Sequence, residues 1–232
     1  MSILVHNLSK YYGQQKALDE VCFDIPKGQI VGLLGPNGAG KSTLMRILTT
    51  FLAPSNGTAT VCGFDICKQP LDVRKNIGYL PENNPLYTDM YVREYLQFIA
   101  RLHLPSERIE EAVETTITET YLTDEAHKKI AQLSKGYRQR VGLAQAIIHQ
   151  PEVIILDEPT SGLDPNQLIG IRDLIKGIGK EKTLILSTHI MQEVEQMCDR
   201  ILLINKGKLV ADKMVSEIDH LEQLFHQITT TE

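Results

Sequence analysis

The sequence has no apolar run long enough to cross a bilayer. The longest, such as residues 153–156 and 201–204, fall far short of the roughly 18 uncharged residues a span needs. A basic excess is also missing: 24 lysines and arginines face 29 aspartates and glutamates, for a net charge of −5. A protein that works by neutralising a nucleic-acid backbone is therefore not favoured. Cysteine is scarce and scattered. Cys22, Cys62, Cys67 and Cys198 form no C-x-x-C pair and no His/Cys zinc spacing, so reduced thiols are expected. Residues 1–12 have neither the basic start nor the apolar stretch of a signal peptide, and the expectation is a soluble, cytosolic chain. Repeats and low-complexity tracts are absent too, which sets aside disordered, collagen-like and coiled-coil classes.

What is present is ordinary globular material. The 232 residues correspond to one or two domains of about 150 residues each, and 42% apolar with 23% charged residues can build a core. Ile3, Val5 and Leu8 mark a first strand, and Val21, Phe23 and Ile25 alternate as a second. After the Lys27-Gly28 turn, residues 29–34 read as a short buried strand and residues 41–51 as a helix. Pro54-Ser55-Asn56-Gly57 is a turn, and residues 58–62 and 77–80 are further strands.

Residues 92–148 read as helical. There Ser106 is the expected N-cap, with Glu107, Glu110 and Glu111 where the helix dipole favours acids. Ile109, Ala112, Val113, Ile117 and Tyr121 form one apolar stripe. From Pro151 a βαβ rhythm follows. Strands at 153–156, 183–187 and 201–204 alternate with helices near 168–178 and 190–197, and one more helix is expected over 214–228. Continuous apolar strands of this kind suit a parallel sheet covered on both faces.

Gly35-Pro36-Asn37-Gly38-Ala39-Gly40-Lys41-Ser42-Thr43 fits G-x-x-x-x-G-K-[ST] between a strand and a helix. Glycines let backbone N–H groups converge on phosphate oxygens, and the helix that follows adds its positive end. Lys41 is the residue expected to reach the β- and γ-phosphates, and the Ser42 hydroxyl to ligate Mg²⁺. Farther on, Val153-Ile154-Ile155-Leu156-Asp157-Glu158 is an apolar strand that ends in two carboxylates. At the carboxyl end of a parallel strand such a pair faces the crevice where α/β ligands bind. Asp157 is then expected on the Mg²⁺ side of a nucleotide. Glu158 is placed to polarise a water for in-line attack.

Further residues carry a resemblance. Leu133-Ser134-Lys135-Gly136-Tyr137-Arg138-Gln139-Arg140 resembles the signature motif of ABC-type ATPases. Asp157 to Pro165 resembles the Walker B segment running into the D-loop, His189 the switch histidine, and Tyr12 the aromatic residue that stacks on adenine. The motifs stand in the family's order and span nearly the whole chain. The resemblance implies an α/β fold: a P-loop NTPase core with a mostly parallel sheet, an N-terminal antiparallel β subdomain and an inserted α-helical subdomain. It implies one ATPase domain over residues 1–232, with 1–82 and 150–232 as nucleotide-binding core and 83–149 as the helical subdomain. ATP and Mg²⁺ are the implied cofactors. A second ATPase subunit, the same or a related chain, is the implied partner. Its Ser134 and Gly136 would contact the γ-phosphate bound to the first subunit. His189 would hold that phosphate and the attacking water, and Asp164 would communicate across the pair.

Two features depart from the family's commonest form. Lys135 and Tyr137 stand where it has Gly and Gln, and Glu82 stands at the position of the Q-loop glutamine. Glu82 is taken as a coupling residue able to bind Mg²⁺ or water. Residues 77–87, with 133–144, look closest to ABC-2-type exporter subunits, and among these to gliding-motility ATPases, whose members continue beyond this length. The implied function is an ATP-hydrolysing subunit of an exporter, peripheral on the inner face of the cell membrane. Its helical region near 83–104 would press on a separate transmembrane permease. An ATPase acting on DNA or ribosomes fits less well, because it needs a long coiled-coil insertion or two ATPase copies. A P-loop GTPase or kinase fits less well, because the signature segment would be unexplained in either case and Asn205-Lys206-Gly207-Lys208 lacks the carboxylate of the guanine motif.

Overall fold

The computed structural model describes residues 1–230. The chain opens with β1 (Ile3–Tyr12) and β2 (Gln15–Ile25), then β3 (Ile30–Leu34), α1 (Lys41–Leu48), β4 (Asn56–Val61), β5 (Phe64–Asp65), α2 (Pro70–Asn76) and β6 (Ile77–Leu80). Three longer helices follow: α3 (Val92–His103), α4 (Ile109–Glu119) and α5 (Lys135–Ile147). The remainder alternates β7 (Val153–Asp157), α6 (Pro165–Gly179), β8 (Thr183–Ser187), α7 (Met191–Met197), β9 (Arg200–Asn205), β10 (Lys208–Met214) and α8 (Leu221–Thr230). Among the described residues no helix is long and apolar enough to cross a membrane.

Two sheets form. One is antiparallel in the order β2-β1-β4-β5, and the other runs β10-β9-β3-β8-β7-β6. In the second sheet every pairing is parallel except that of β9 with β10. Side chains alternate between the two faces, and both faces are covered, so β3, β7 and β8 are buried at every position. Val31, Leu33, Val153 and Ile155 point into a core shared with α1 and the antiparallel sheet. Their neighbours Ile30, Leu34, Ile154 and Leu156 point the other way, into a core shared with α5, α6 and α7. A third core, built around Val92, Leu96, Val113, Ile117, Val141 and Ile148, belongs to α3, α4 and α5.

Several elements differ from the sequence reading. The helix from Lys41 stops at Leu48 rather than at 51. The Thr49 hydroxyl turns back onto the Met45 carbonyl at 2.9 Å, and Thr50 takes a left-handed φ of 61°. The Phe51 and Leu52 N–H groups then both donate to the Arg46 carbonyl, which closes the helix end. Ser106 makes no cap. It begins a short 3₁₀ turn, Ser106–Arg108, that leads into α4. Tyr121 falls off the apolar stripe because α4 has already ended. It adopts a φ of 55° and lies exposed beneath the Arg140 guanidinium, 5.4 Å from its ring.

The stretch expected as one helix over 214–228 instead starts as the end of strand β10, and its helix begins only at Leu221. The Asn205-Lys206-Gly207-Lys208 segment turns out to be a hairpin turn. Lys206 at φ 48° and Gly207 at φ 79° give the two successive positive values that a twisted two-residue hairpin needs.

The helical region meets the sheet at a pair of stacked imidazoles, His103 at the end of α3 and His149 after α5. Their centroids are 4.3 Å apart at an interplanar angle of 15°. His149 Nε2 lies 3.1 Å from the Ile77 carbonyl at the start of β6. Burial, with His103 close by, pushes the His149 pKa from 6.5 down to about 4. The folded chain therefore refuses a proton that the unfolded chain takes up below about pH 6.5. Stability present above that pH is lost as pH falls through the folded value near 4. The midpoint of urea unfolding should fall as the buffer is taken from about pH 7.5 to 5, and His149→Gln should flatten that dependence.

Candidate active site

The loop between β3 and α1 can take its path only with glycine at two positions. Gly35 has φ 153°, and a Cβ there would strike the Ile204 carbonyl. Gly40 has φ 114°, and a Cβ there would strike the Ala17 carbonyl. Gly38, at φ 80°, has open space where a Cβ would stand. Lys41 begins α1 and is buried. Its ammonium donates to the Gly35 carbonyl at 2.7 Å and the Pro36 carbonyl at 3.1 Å, which ties the loop to its own helix. Loss of hydration lowers the Lys41 pKa, and the carboxylates of Glu158, Asp157 and Glu82 oppose the shift.

The two carboxylates after β7 are set by the neighbouring strand. Asp157 stands in register with Ser187 of β8, whose hydroxyl donates to Asp157 Oδ1 at 2.7 Å. The same hydroxyl accepts the Glu158 backbone N–H at 2.9 Å. Glu158 itself is forced into the left-handed region, at φ 51°. Its carboxylate Oε2 lies 2.9 Å from His189 Nδ1, two residues beyond the end of β8. Burial raises the Glu158 pKa, while His189 and Lys41 hold the rise in check.

These groups line one cleft of about 830 Å³, and Tyr12, Gly35, Pro36, Asn37, Gly38, Gly40, Ser42, Thr43 and Glu82 share its wall. Ala39 is buried behind the loop instead. Tyr12 is half exposed, with the Lys10 ammonium 5.5 Å from its ring centroid. Gln15, Ala17 and Phe225 also line the cleft and had no place in the sequence reading; Ser161 lines it too and enters that reading only as part of the Asp157–Pro165 segment. Phe225 comes from α8 and carries no local motif, so no signal could have found it. Gln15 and Ala17 sit just past Tyr12 on β2, where the β1–β2 turn is the only clue.

Ser134 and Gly136 are not part of this wall. Ser134 caps α5, accepting the Tyr137 N–H at 3.4 Å and the Gln167 side-chain amide at 3.4 Å. Gly136 gives room to that same Gln167. Asp164 caps α6 through the N–H groups of Asn166 and Gln167, at 3.1 and 3.0 Å. The two unusual signature residues turn back onto their own chain. The Lys135 amine packs against Gly162, and the Tyr137 ring lies 5.7 Å from the Arg140 guanidinium.

A phosphate loop at the head of a helix, facing paired carboxylates at the carboxyl ends of parallel strands, defines a P-loop nucleotide hydrolase. Comparison with known proteins narrows the class. The ABC transporter family matches residues 18–161. The chain is 40% identical over 228 residues to the uncharacterized ABC transporter ATP-binding protein YhcH of Bacillus subtilis, a match covering 96% of this chain and 73% of that protein. It is 37% identical over 207 residues to the Nod factor export ATP-binding protein I of Mesorhizobium japonicum, covering 88% of this chain and 61% of that one. Its fold matches a solved ATP-binding subunit of an ABC transporter with TM-score 0.85 and 29% identity, over 97% of this chain and 95% of that one. The chain belongs to the ABC transporter family, as an ATP-binding subunit that hydrolyses ATP to ADP and phosphate to energise transport.

Lys41 is the buried cation of the cleft, and a hydrogen bond to a charged group contributes about 1.5–3 kcal/mol. Lys41→Ala should therefore weaken ATP binding roughly ten- to a hundredfold in an equilibrium titration.

Proposed function

We propose that ATP binds with its phosphates on the Gly35–Lys41 loop and its base against Tyr12, and that a second ATPase subunit completes the site with Ser134 and Gly136. The observation that carries this reading is the division just described. The loop, Lys41, Glu158 and His189 line one cleft, whereas the helix N-terminus at Ser134 lies outside it. A helix start whose cap is a serine suits an anion supplied from elsewhere, and a second copy supplies one. Asp164, at the start of α6, then lies next to the signature through Gln167 and is the residue proposed to relay between subunits.

Within the cleft Glu158 is the general base that accepts a proton from the attacking water. A carboxyl raised by burial is a better base near neutral pH than an exposed one. His189 holds Glu158 in place and is proposed to contact the γ-phosphate. Ser42, Asp157 and Glu82 fit a Mg²⁺ ion: one hydroxyl and two carboxylates share the wall, and Mg²⁺ is commonly held by one or two carboxylates plus substrate phosphates. Mg²⁺, when bound, neutralises charge on the β- and γ-phosphates.

Residues 83–149 are proposed as a helical subdomain that moves against a nucleotide-binding core of 1–82 and 150–232. Its exposed Tyr87, Tyr91 and Phe98 suit contact with a separate transmembrane permease. Such contact makes the chain peripheral on the inner face of the membrane. Export as the direction of transport is supported by the similarity to the Nod factor export protein. No nucleic-acid partner is proposed, in keeping with the net charge of −5.

Glu158→Gln should bind ATP with near-normal affinity, hydrolyse it at least about a hundredfold more slowly, and run as a dimer in light scattering when ATP is present. Parent-like turnover would remove Glu158 as the base. Affinity purification from detergent-solubilised native membranes should recover a stoichiometric multi-span protein. Recovery with ribosomes or nucleic acid and no membrane protein would reject the permease partner.

A further inference from the structure

Glu193, in the first turn of α7, has no exposed surface. A carboxylate so placed is retained at a cost unless donors satisfy it, and an apolar side chain of similar size would fill the volume more cheaply. Two hydroxyls satisfy one of its oxygens. Thr160 Oγ1 and Thr188 Oγ1 each donate to Glu193 Oε2 at 2.7 Å. The other oxygen faces the Arg172 guanidinium at 3.8 Å and has no hydrogen-bond partner. Both threonines are buried.

Their positions give the contact its meaning. Thr160 is two residues after Glu158, and Thr188 immediately precedes His189. The β7–β8 ladder ends at the Asp157–Ser187 pair, just before the two loops separate. Thr188 Oγ1 also accepts the Ile190 N–H at 3.1 Å, so the hydroxyl that reaches Glu193 fixes the backbone on both sides of His189. Thr160 braces a turn in which Ser161 N–H donates to the Glu158 carbonyl at 3.2 Å, while Glu158 holds its left-handed φ of 51°. One carboxylate therefore grips both loops that present the 2.9 Å contact between Glu158 and His189.

We infer that Glu193 is a positioning residue for ATP hydrolysis, setting the relation of Glu158 to His189 through the hydroxyls of Thr160 and Thr188. The inference rests on the roles proposed above for Glu158 and His189. It separates binding from turnover, because none of Glu193, Thr160 and Thr188 lines the nucleotide cleft.

Glu193→Ala leaves Arg172 without its counter-charge and lowers the folded fraction, so the threonines carry the test. Thr160→Val and Thr188→Val keep shape; the first removes one donor to Glu193, and the second removes the other donor together with the acceptor of the Ile190 N–H, so Thr160→Val is the cleaner of the two. In the full chain each should lower kcat about tenfold or more, the scale seen when groups that orient a reacting residue are removed. The affinity for ATP should stay within about twofold of the parent. Thr160→Ser and Thr188→Ser, which restore the hydroxyl, should recover most of the rate. Adding Thr188→Val to His189→Ala should cause no further loss, since both act on one unit. Valine variants with kcat within about twofold of the parent would overturn the inference, and so would losses that multiply with that of His189→Ala. Glu158→Gln and His189→Ala run in parallel keep the two levels apart. If those two hydrolyse ATP at the parent rate, the assignment of base and switch residue fails. If they are impaired while the valine variants are not, only the role of Glu193 fails.

Discussion

Four parallel strands that end along one edge of the sheet are the constraint on which the rest depends. β3, β8, β7 and β6 are consecutive neighbours, and each hands the chain to a loop on the same side. Gly35 follows β3, Glu82 lies two residues beyond β6, Asp157 closes β7 with Glu158 just after it, and His189 lies two residues beyond β8. Residues far apart in sequence meet because parallel strands all point their carboxyl ends at one crevice. Register guards the arrangement. A slip of one residue in β7 would exchange Val153 and Ile155 for Ile154 and Leu156 between two different cores, and would part Asp157 from Ser187.

That edge carries charge and strain which the sheet has to hold. Lys41 is a buried cation whose hydrogen bonds go to carbonyls of its own loop. Glu158 is a non-glycine residue in the left-handed region, and its backbone N–H is satisfied by a serine of the next strand. Neither arrangement is favourable in isolation. Both persist because the strands beneath are buried on two faces. The consequence is preorganisation: the charged groups of the cleft are already oriented by the fold.

The parts of the fold that were legible in sequence are those set by short spacing. Alternation in residues 21–25 gave a strand by its two-residue period, and the apolar runs of β3, β7, β8 and β9 gave strands because they are too short for helices and are bounded by turns. Helix ends were less legible. α1 stops at Leu48 because a threonine hydroxyl competes for a backbone carbonyl, and α4 starts after a 3₁₀ turn rather than at a serine cap. β10 was missed because an edge strand with one face in water has a burial pattern too weak to stand out from a polar loop.

The sequence by itself determined the chemistry available to this protein: a glycine loop with its lysine and serine, a strand ending in two carboxylates, and a histidine after another strand. Each is a local pattern whose meaning depends on a few adjacent residues and on backbone rules that hold in any fold. Only the tertiary structure decided which of these groups face one another. Ser187 bridging Asp157 and Glu158, Glu193 joining Thr160 to Thr188, and Phe225 lining the cleft are contacts between distant segments. They are fixed by strand order and by how helices pack across the sheet, and no spacing along the chain encodes a contact that exists only after the sheet has closed.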